Sequence, residues 1–333
     1  MGRARSFAGA GVSDRIGLWL GAAAGGTSYL CGGRANEMNA VIVGLGSMGF
    51  GMGLSLLKGG IETLGVDISK EREAAFREQG GSQTPREEAL ASADAAVVVV
   101  VNAAQSDSVL FGEDGIAARL KPGAVVINSP TVSPAYARET EARLAEMGLL
   151  YLDAPISGGS VKAAQGQLSI MASGRPEAFA AARPALDAMA ETVFELGDAA
   201  GPGSAMKVIN QLLAGVHIAA AAEAITFGMT QGVVPAKTVE VISKCAGSSW
   251  MFENRGPHIA AGDYTPHSAV EIFVKDLGIV SDIARTARFS APLTAAALQQ
   301  FLAAAGAGHG REDDAAVAKI YARNAGLTLP GEE

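Results

Sequence analysis

The chain has 333 residues, 49% of them hydrophobic and 18% charged, which gives enough apolar side chain for two buried cores and excludes disorder as the default state. A formal charge of -8 and the lack of any clustered block of Lys and Arg exclude a nucleic-acid surface and favour a small-molecule partner. Cys31 and Cys245 stand far apart without His or Cys neighbours at ligand spacing, which excludes a disulfide framework and a zinc site and fits a reducing cytoplasm.

In chain order, the first 37 residues read apart from the rest. Met38 is followed at once by Asn-Ala-Val-Ile-Val-Gly-Leu-Gly, which already begins a fold, so residues 1–37 are expected to be a non-functional or mis-started extension. Their apolar stretch, 16–26, falls short of the roughly 18 residues that suggest a spanning helix, and no membrane partner is expected. From 39 to about 197, short runs rich in Val, Ile and Leu alternate with helical patterns. The runs 40–43, 64–66, 95–101, 124–127, 149–152, 168–171 and 193–196 read as strands, a rhythm that predicts a largely parallel sheet with helices on both faces. Beyond Gly197 the β-rich runs stop. Gly201-Pro202-Gly203 makes a turn before one long helix over 204–231, and further helices are expected over 236–245, 268–288, 291–306 and 313–325. Gly256-Pro257, Gly262-Asp263 and Pro266 mark loops between them. The expected organisation is therefore an α/β domain over 38–200 and an all-helical substrate and oligomerisation domain over 201–330, joined by the long helix.

Gly44-Leu45-Gly46-Ser47-Met48-Gly49 follows the first strand and opens a helix, the context in which such a hexapeptide binds a dinucleotide. Gly44 suits the tight turn, Gly46 lets the backbone approach a pyrophosphate, and Gly49 allows the helix to pack closely, while free amides at the helix start face the anion. Asp67 lies 18 residues after Gly49 at the end of the second strand, where a carboxylate meets the adenosine ribose and repels a 2′-phosphate. NAD is thus favoured over NADP, although Lys70 and Arg72 are near enough to dilute the repulsion; the alternative for Asp67 is a turn or helix-capping role. Two later strand ends complete the expected cofactor cleft, one carrying Asn102 and the other Thr131, each of which also suits simple turn chemistry.

Oxidation of a secondary alcohol by hydride transfer needs a base for the hydroxyl proton and donors for a substrate carboxylate. The loop Asp153-Ala154-Pro155-Ile156-Ser157-Gly158-Gly159-Ser160 has the small, amide-exposing residues of an anion nest, or of an ordinary flexible loop. Lys207 stands in the first turns of the long helix beside Ile209, Leu212 and Leu213, one turn before Asn210 on the same side. It is either a snorkelling surface lysine or a desolvated general base. His217 lies on an alanine-rich stretch and reads as a packing residue. Lys275-Asp276 reads as an ion pair on a solvated helix face or as a reach towards the cofactor.

Residues 41–49, 153–159, 203–210 and 273–277 resemble, in order and spacing, the four signatures of the β-hydroxyacid dehydrogenases, and the likeness runs from 39 to about 325. The resemblance implies a Rossmann-type NAD-binding domain followed by helices, with Lys207 as acid/base. It implies that Ser157, Gly158 and Gly159 hold the substrate carboxylate, that Asn210 faces substrate, and that Thr131 and Lys275 contact cofactor. The family's usual second Asn after the lysine is Gln211 here. Within the family, 211–224, 249–255, 262–266 and 311–314 are most similar to the group acting on L-threonate. That implies oxidation of the C2 hydroxyl of a four-carbon sugar acid, with 3-hydroxyisobutyrate and tartronate semialdehyde as alternative substrates. A non-catalytic dinucleotide-binding module is the remaining reading, and Lys207 argues against it. The alanine-rich long helix suggests a homo-oligomer, because small side chains let helices approach closely.

Overall fold

The computed structural model describes residues 38–332, so the expected extension at 1–37 lies outside the described residues. Five parallel strands form the first sheet: β1 (Asn39–Val43), β2 (Glu62–Val66), β3 (Ala95–Val98), β4 (Val125–Asn128) and β5 (Leu150–Asp153), in the order β2-β1-β3-β4-β5. The crossovers run through α1 (Ser47–Lys58), α2 (Lys70–Glu78) with α3 (Arg86–Ser92), α4 (Ala103–Phe111) and α5 (Pro134–Glu146). Alternate residues of each strand feed two different cores. Ile42, Val97, Ile127 and Leu152 pack on one face, and Val41, Val43, Val98 and Val126 on the other. Burial on both faces explains why these strands read as unbroken Val/Ile runs without polar alternation. The order reverses at β1/β3, so the carboxyl ends of these strands flank a crevice suited to a ligand.

The sequence expectation of a single largely parallel sheet is corrected beyond β5. There, β6 (Ile156–Ser157), β7 (Leu168–Ala172) and β8 (Ala190–Glu195) form a separate three-stranded sheet. The β6/β7 pair is antiparallel and β7/β8 parallel. The physical cause is the short connection through α6 (Gly159–Gln165), too short to carry the chain back for a parallel crossover. A single antiparallel bridge, Asp153 to Ser173, links the two sheets, and α7 (Pro176–Met189) covers them.

From α8 (Pro202–Thr230) onwards the chain is helical: α9 (Pro235–Ile242), α10 (Trp250–Ala261), α11 (Val270–Ala287), α12 (Pro292–Ala304) and α13 (Ala318–Ala325), with a 3-10 turn over Asp314–Val317. α8 is long and apolar enough to cross a membrane by composition, but it is the axis on which α9 to α13 pack. Its Gly215 lets α11 approach, since a Cβ there would lie 2.8 Å from Leu277. The expected loop at Gly256-Pro257 is overturned, because both residues lie inside α10. That helix is held at its start by Ser249, whose hydroxyl accepts from Phe252 N, and it packs on α8 and α9. Tertiary packing and a well-formed cap here outweigh the one backbone hydrogen bond that Pro257 forgoes.

Candidate active site

The loop between β1 and α1 has the geometry its glycines predict. Gly44 has φ +97°, and a Cβ there would sit 2.1 Å from Val99 O; a Cβ on Gly49 would sit 1.8 Å from Gly44 O. Neither position tolerates any other residue without backbone movement. A Cβ on Gly46 would meet nothing within 4 Å, so this glycine opens the loop outward, where the amides of Ser47 and Met48 begin α1. Leu45 contributes backbone only, its side chain being fully buried. These features form a cradle that fits a pyrophosphate.

Asp67 closes this cradle from the end of β2. Its Oδ2 accepts from Leu45 N at 2.6 Å and its Oδ1 from Ser69 N at 2.8 Å. Each oxygen keeps a free lone pair for a ribose hydroxyl. The capping alternative for Asp67 passes to Ser69, whose hydroxyl accepts from Arg72 N at the start of α2. Lys70 is paired with Glu73, whereas Arg72 Nη1 donates to Leu45 O at 2.6 Å, which puts a guanidinium beside the loop. Asn102 is the N-cap of α4, accepting from Gln105 N at 2.9 Å, so its carbonyl is committed to turn chemistry. Thr131, after β4, faces the helical part of the chain: its carbonyl accepts from Lys275 Nζ at 3.5 Å.

Ser157 ends β6, paired with Ser169 across the antiparallel ladder, and Gly158 and Gly159 follow with φ of +139° and +80°. Only glycine adopts this pair of conformations readily, and the turn they make leaves both residues exposed at the start of α6.

Asp153 was read from sequence only as the first residue of this loop, yet it joins the sheets to α8. Fully buried at the end of β5, it accepts at Oδ2 from Gly201 N (3.0 Å), Ser204 N (2.8 Å) and Ser173 Oγ (3.2 Å), and at Oδ1 from Ser204 Oγ (2.6 Å). Burial raises its carboxyl pKa even against these donors. The carboxylate also answers the free amides of the helix start. Gly203 makes the contact possible, because a Cβ there would lie 2.5 Å from Met171 O and 2.7 Å from Asp153 O. A strand-terminal Asp facing a Gly-Pro-Gly-Ser helix start is the signal that sequence reasoning could have used.

Lys207 sits one turn further along α8, neither exposed nor fully enclosed. Desolvation lowers its ammonium pKa from 10.5 to about 8; the Asp276 carboxylate pulls it back up and the Lys275 ammonium pushes it down. Of the apolar neighbours that suggested desolvation, Ile209 is 53% and Leu213 50% exposed, and Leu212 alone packs partly buried against the helical core. The two charges it senses, Asp276 and Lys275, both come from α11. The solvated-face reading of Lys275-Asp276 is likewise corrected. Asp276 is 1% exposed, with Oδ1 2.6 Å from Lys275 Nζ and Oδ2 accepting from Gln211 Nε2 at 2.5 Å. Asn210 Nδ2 in turn donates to Gln211 Oε1 at 2.9 Å. Helices α8 and α11 thus bring Lys207, Asn210, Gln211, Lys275 and Asp276 together, and Lys275 ties them to the loop of Thr131.

The aromatic residues of segment 249–255 divide between core and surface. Phe252 is in the helical core, Trp250 is 68% exposed, and Asn254 accepts a hydrogen bond from Arg255. Arg255 itself is buried against Asp314, with Nε–Oδ1 at 2.5 Å and Nη2–Oδ2 at 3.1 Å, and with Asp313 alongside. This cluster fixes α10 to the 3-10 turn before α13.

Residues 39–197 match the family described as "NAD binding domain of 6-phosphogluconate dehydrogenase", and residues 201–321 that described as "NAD-binding of NADP-dependent 3-hydroxyisobutyrate dehydrogenase". Among curated proteins, the L-threonate dehydrogenase of Cupriavidus necator is 52% identical over 88% of this chain and 98% of its own length. That of Escherichia coli K12 is 48% identical over 89% and 98%. A solved structure titled 3-hydroxyisobutyrate dehydrogenase, from Salmonella typhimurium, is 49% identical with a TM-score of 0.81, covering 85% of this chain and all of that one.

Proposed function

The chain belongs to the β-hydroxyacid dehydrogenase family, and on that premise we propose that it oxidises the C2 hydroxyl of L-threonate to the 2-keto acid with NAD, Lys207 acting as general base. The observation that carries the reading is Lys207 itself, a lysine brought to about 8 beside a buried Asp276 in the group of polar side chains that α8 and α11 bring together. A bound nicotinamide dinucleotide would supply the hydride acceptor. Everything else falls to the chain's own residues. The exposed backbone of Ser157, Gly158 and Gly159 orients the substrate carboxylate. Neutral Lys207 takes the C2 hydroxyl proton onto Nζ while the C2 hydrogen departs with its bonding pair as hydride, which leaves a carbonyl at C2. Thr131 and Lys275 brace the cofactor side of the cleft, and the loop Gly44 to Gly49 holds the dinucleotide end together with the side-chain NH2 of Asn102, whose carbonyl caps α4. Lys207 at about 8 is about one-tenth neutral at pH 7, against about 0.03% for an unshifted lysine, which makes it a serviceable base.

The proposed preference for NAD rests on Asp67 at the end of β2, whose carboxylate would repel a 2′-phosphate, with Arg72 as the only basic side chain bonded to the loop among the described residues. A second reading, 3-hydroxyisobutyrate as substrate, is favoured by the name of the Salmonella structure. Turnover of L-threonate, D-erythronate, 3-hydroxyisobutyrate and glycerate with NAD and with NADP separates the two. L-threonate oxidised with NAD supports the proposal, whereas activity confined to 3-hydroxyisobutyrate replaces it. A homo-oligomer is part of the same proposal: Met206, Ile209 and Leu213 make an exposed apolar stripe along α8, and the mass in solution tests whether a second copy covers it.

A further inference from the structure

Three side chains next to Lys207 fix each other's orientation. A carboxylate only accepts hydrogen bonds, so buried Asp276 dictates that the end of Gln211 turned towards it is the Nε2 donor, 2.5 Å from Oδ2. The other end of Gln211 is then an acceptor, and Asn210 Nδ2 donates to it at 2.9 Å. The order propagates one step more. With its NH2 turned to Gln211, Asn210 presents its carbonyl Oδ1 on the opposite side, and among the described residues that oxygen accepts no hydrogen bond. Asp276 is itself anchored by Lys275, whose Nζ lies 2.6 Å from Oδ1 and reaches Thr131 O across the cleft. The amide orientations therefore follow from hydrogen-bond chemistry rather than from a choice of rotamer.

We propose that Asp276 and Gln211 form a positioning relay that holds Asn210 with its carbonyl oxygen towards the substrate, so that the site selects hydroxy acids carrying a second hydroxyl beyond the carbon oxidised. This rests on the sugar-acid reading above. Asn210 lies one turn from Lys207 on the same side of α8, within reach of the carbon next to the one oxidised. A distal hydroxyl donates to Oδ1. A methyl or methylene in its place leaves that oxygen unpaired in a partly desolvated site, which is the kind of mismatch that discriminates strongly between substrates. The length of Gln211 matters, because an Asn there is one methylene shorter and serves only one of its two partners.

The test compares KM for L-threonate with the inhibition constant of 2-hydroxybutyrate of the same C2 configuration, which lacks the distal hydroxyls. In Gln211→Met the preference for L-threonate, taken as the ratio of the two constants, is expected to fall about tenfold, whatever loss both ligands share. In an Asn210→Ala background the same substitution should no longer change the ratio, since the relay acts through Asn210. Gln211→Asn carries the same expectation if the Met variant does not fold. A ratio unchanged in both Gln211 variants, or an equal fall with Asn210 absent, overturns the relay. A wild-type chain that binds 2-hydroxybutyrate but does not turn over L-threonate overturns the substrate reading and the proposal with it.

Discussion

Replacing Lys207 with Met removes the ammonium and keeps most of the volume, and the structure predicts opposite effects on activity and stability. The folded chain holds this lysine at about 8, below its ordinary 10.5, so between those values the unfolded chain binds more protons and folding gains stability as pH rises. Below pH 8 the charged form is carried at a cost. The displacement corresponds to about 3 kcal/mol for a fully shielded site, and partial exposure of Lys207 reduces this to about 1–2 kcal/mol. Lys207→Met is therefore expected to be about 1–2 kcal/mol more stable than wild type at pH 7, with the difference shrinking towards pH 10.5. Turnover should fall about 10²–10⁴-fold, the usual worth of a positioned base. In wild type, kcat/KM should climb with pH and level off above about 8, and the variant should lack that inflection. Urea melts at pH 7 and 10 together with pH–rate profiles measure all of this. A flat wild-type profile, or a variant that is both active and less stable at pH 7, refutes the reasoning.

Asp67→Ala strips the acceptor from Leu45 N and Ser69 N and should raise KM for NAD about tenfold while lowering the NAD-to-NADP preference; an unchanged preference in two-cofactor kinetics counts against Asp67 as the discriminator. Asp153→Ala leaves three donors at the start of α8 and the Ser173 hydroxyl after β7 without their acceptor and should lower stability by about 3 kcal/mol, read as a fall in the urea midpoint. Gly203→Ala, which drives a Cβ into Met171 O and Asp153 O, should cost about 1–3 kcal/mol in the same assay. Arg255→Met leaves buried Asp314 without its arginine, while Asp313 keeps His258 and the amides of His267 and Ala315, and should cost about 3–5 kcal/mol at pH 8. Asp314 already titrates at about 6 with its arginine present, so the loss should be smaller at pH 5, where protonation removes the charge.

The parts of this molecule fixed by local chemistry were readable before any coordinates. Gly44, by its φ of +97°, and Gly49, by its contact with Gly44 O, are required inside one βα turn, and the Val/Ile runs of β1, β3 and β4 by burial on two faces. The long helix α8 was legible within two residues at each end because nothing in it breaks helical periodicity. What eluded reading was set at long range. Gln211 and Asp276 are 65 residues apart, and neither periodicity nor spacing reveals that their helices turn them towards each other. The same holds for Asp153, whose partners Ser173, Gly201 and Ser204 come from two other segments. Lys207 is instructive because two of the three neighbours that suggested its desolvation, Ile209 and Leu213, are exposed, while the charges that tune it, Asp276 and Lys275, lie on α11, which local sequence does not show. The Gly256-Pro257 pair misled in the opposite sense, since its local signal was real but weaker than the packing of α10.

The central claim is tested most directly by kcat/KM for L-threonate and for 3-hydroxyisobutyrate, measured side by side with NAD through formation of the reduced cofactor. The account predicts a value for L-threonate at least about a hundredfold higher, the discrimination expected when a polar site must pair a substrate hydroxyl. A higher value for 3-hydroxyisobutyrate would contradict it.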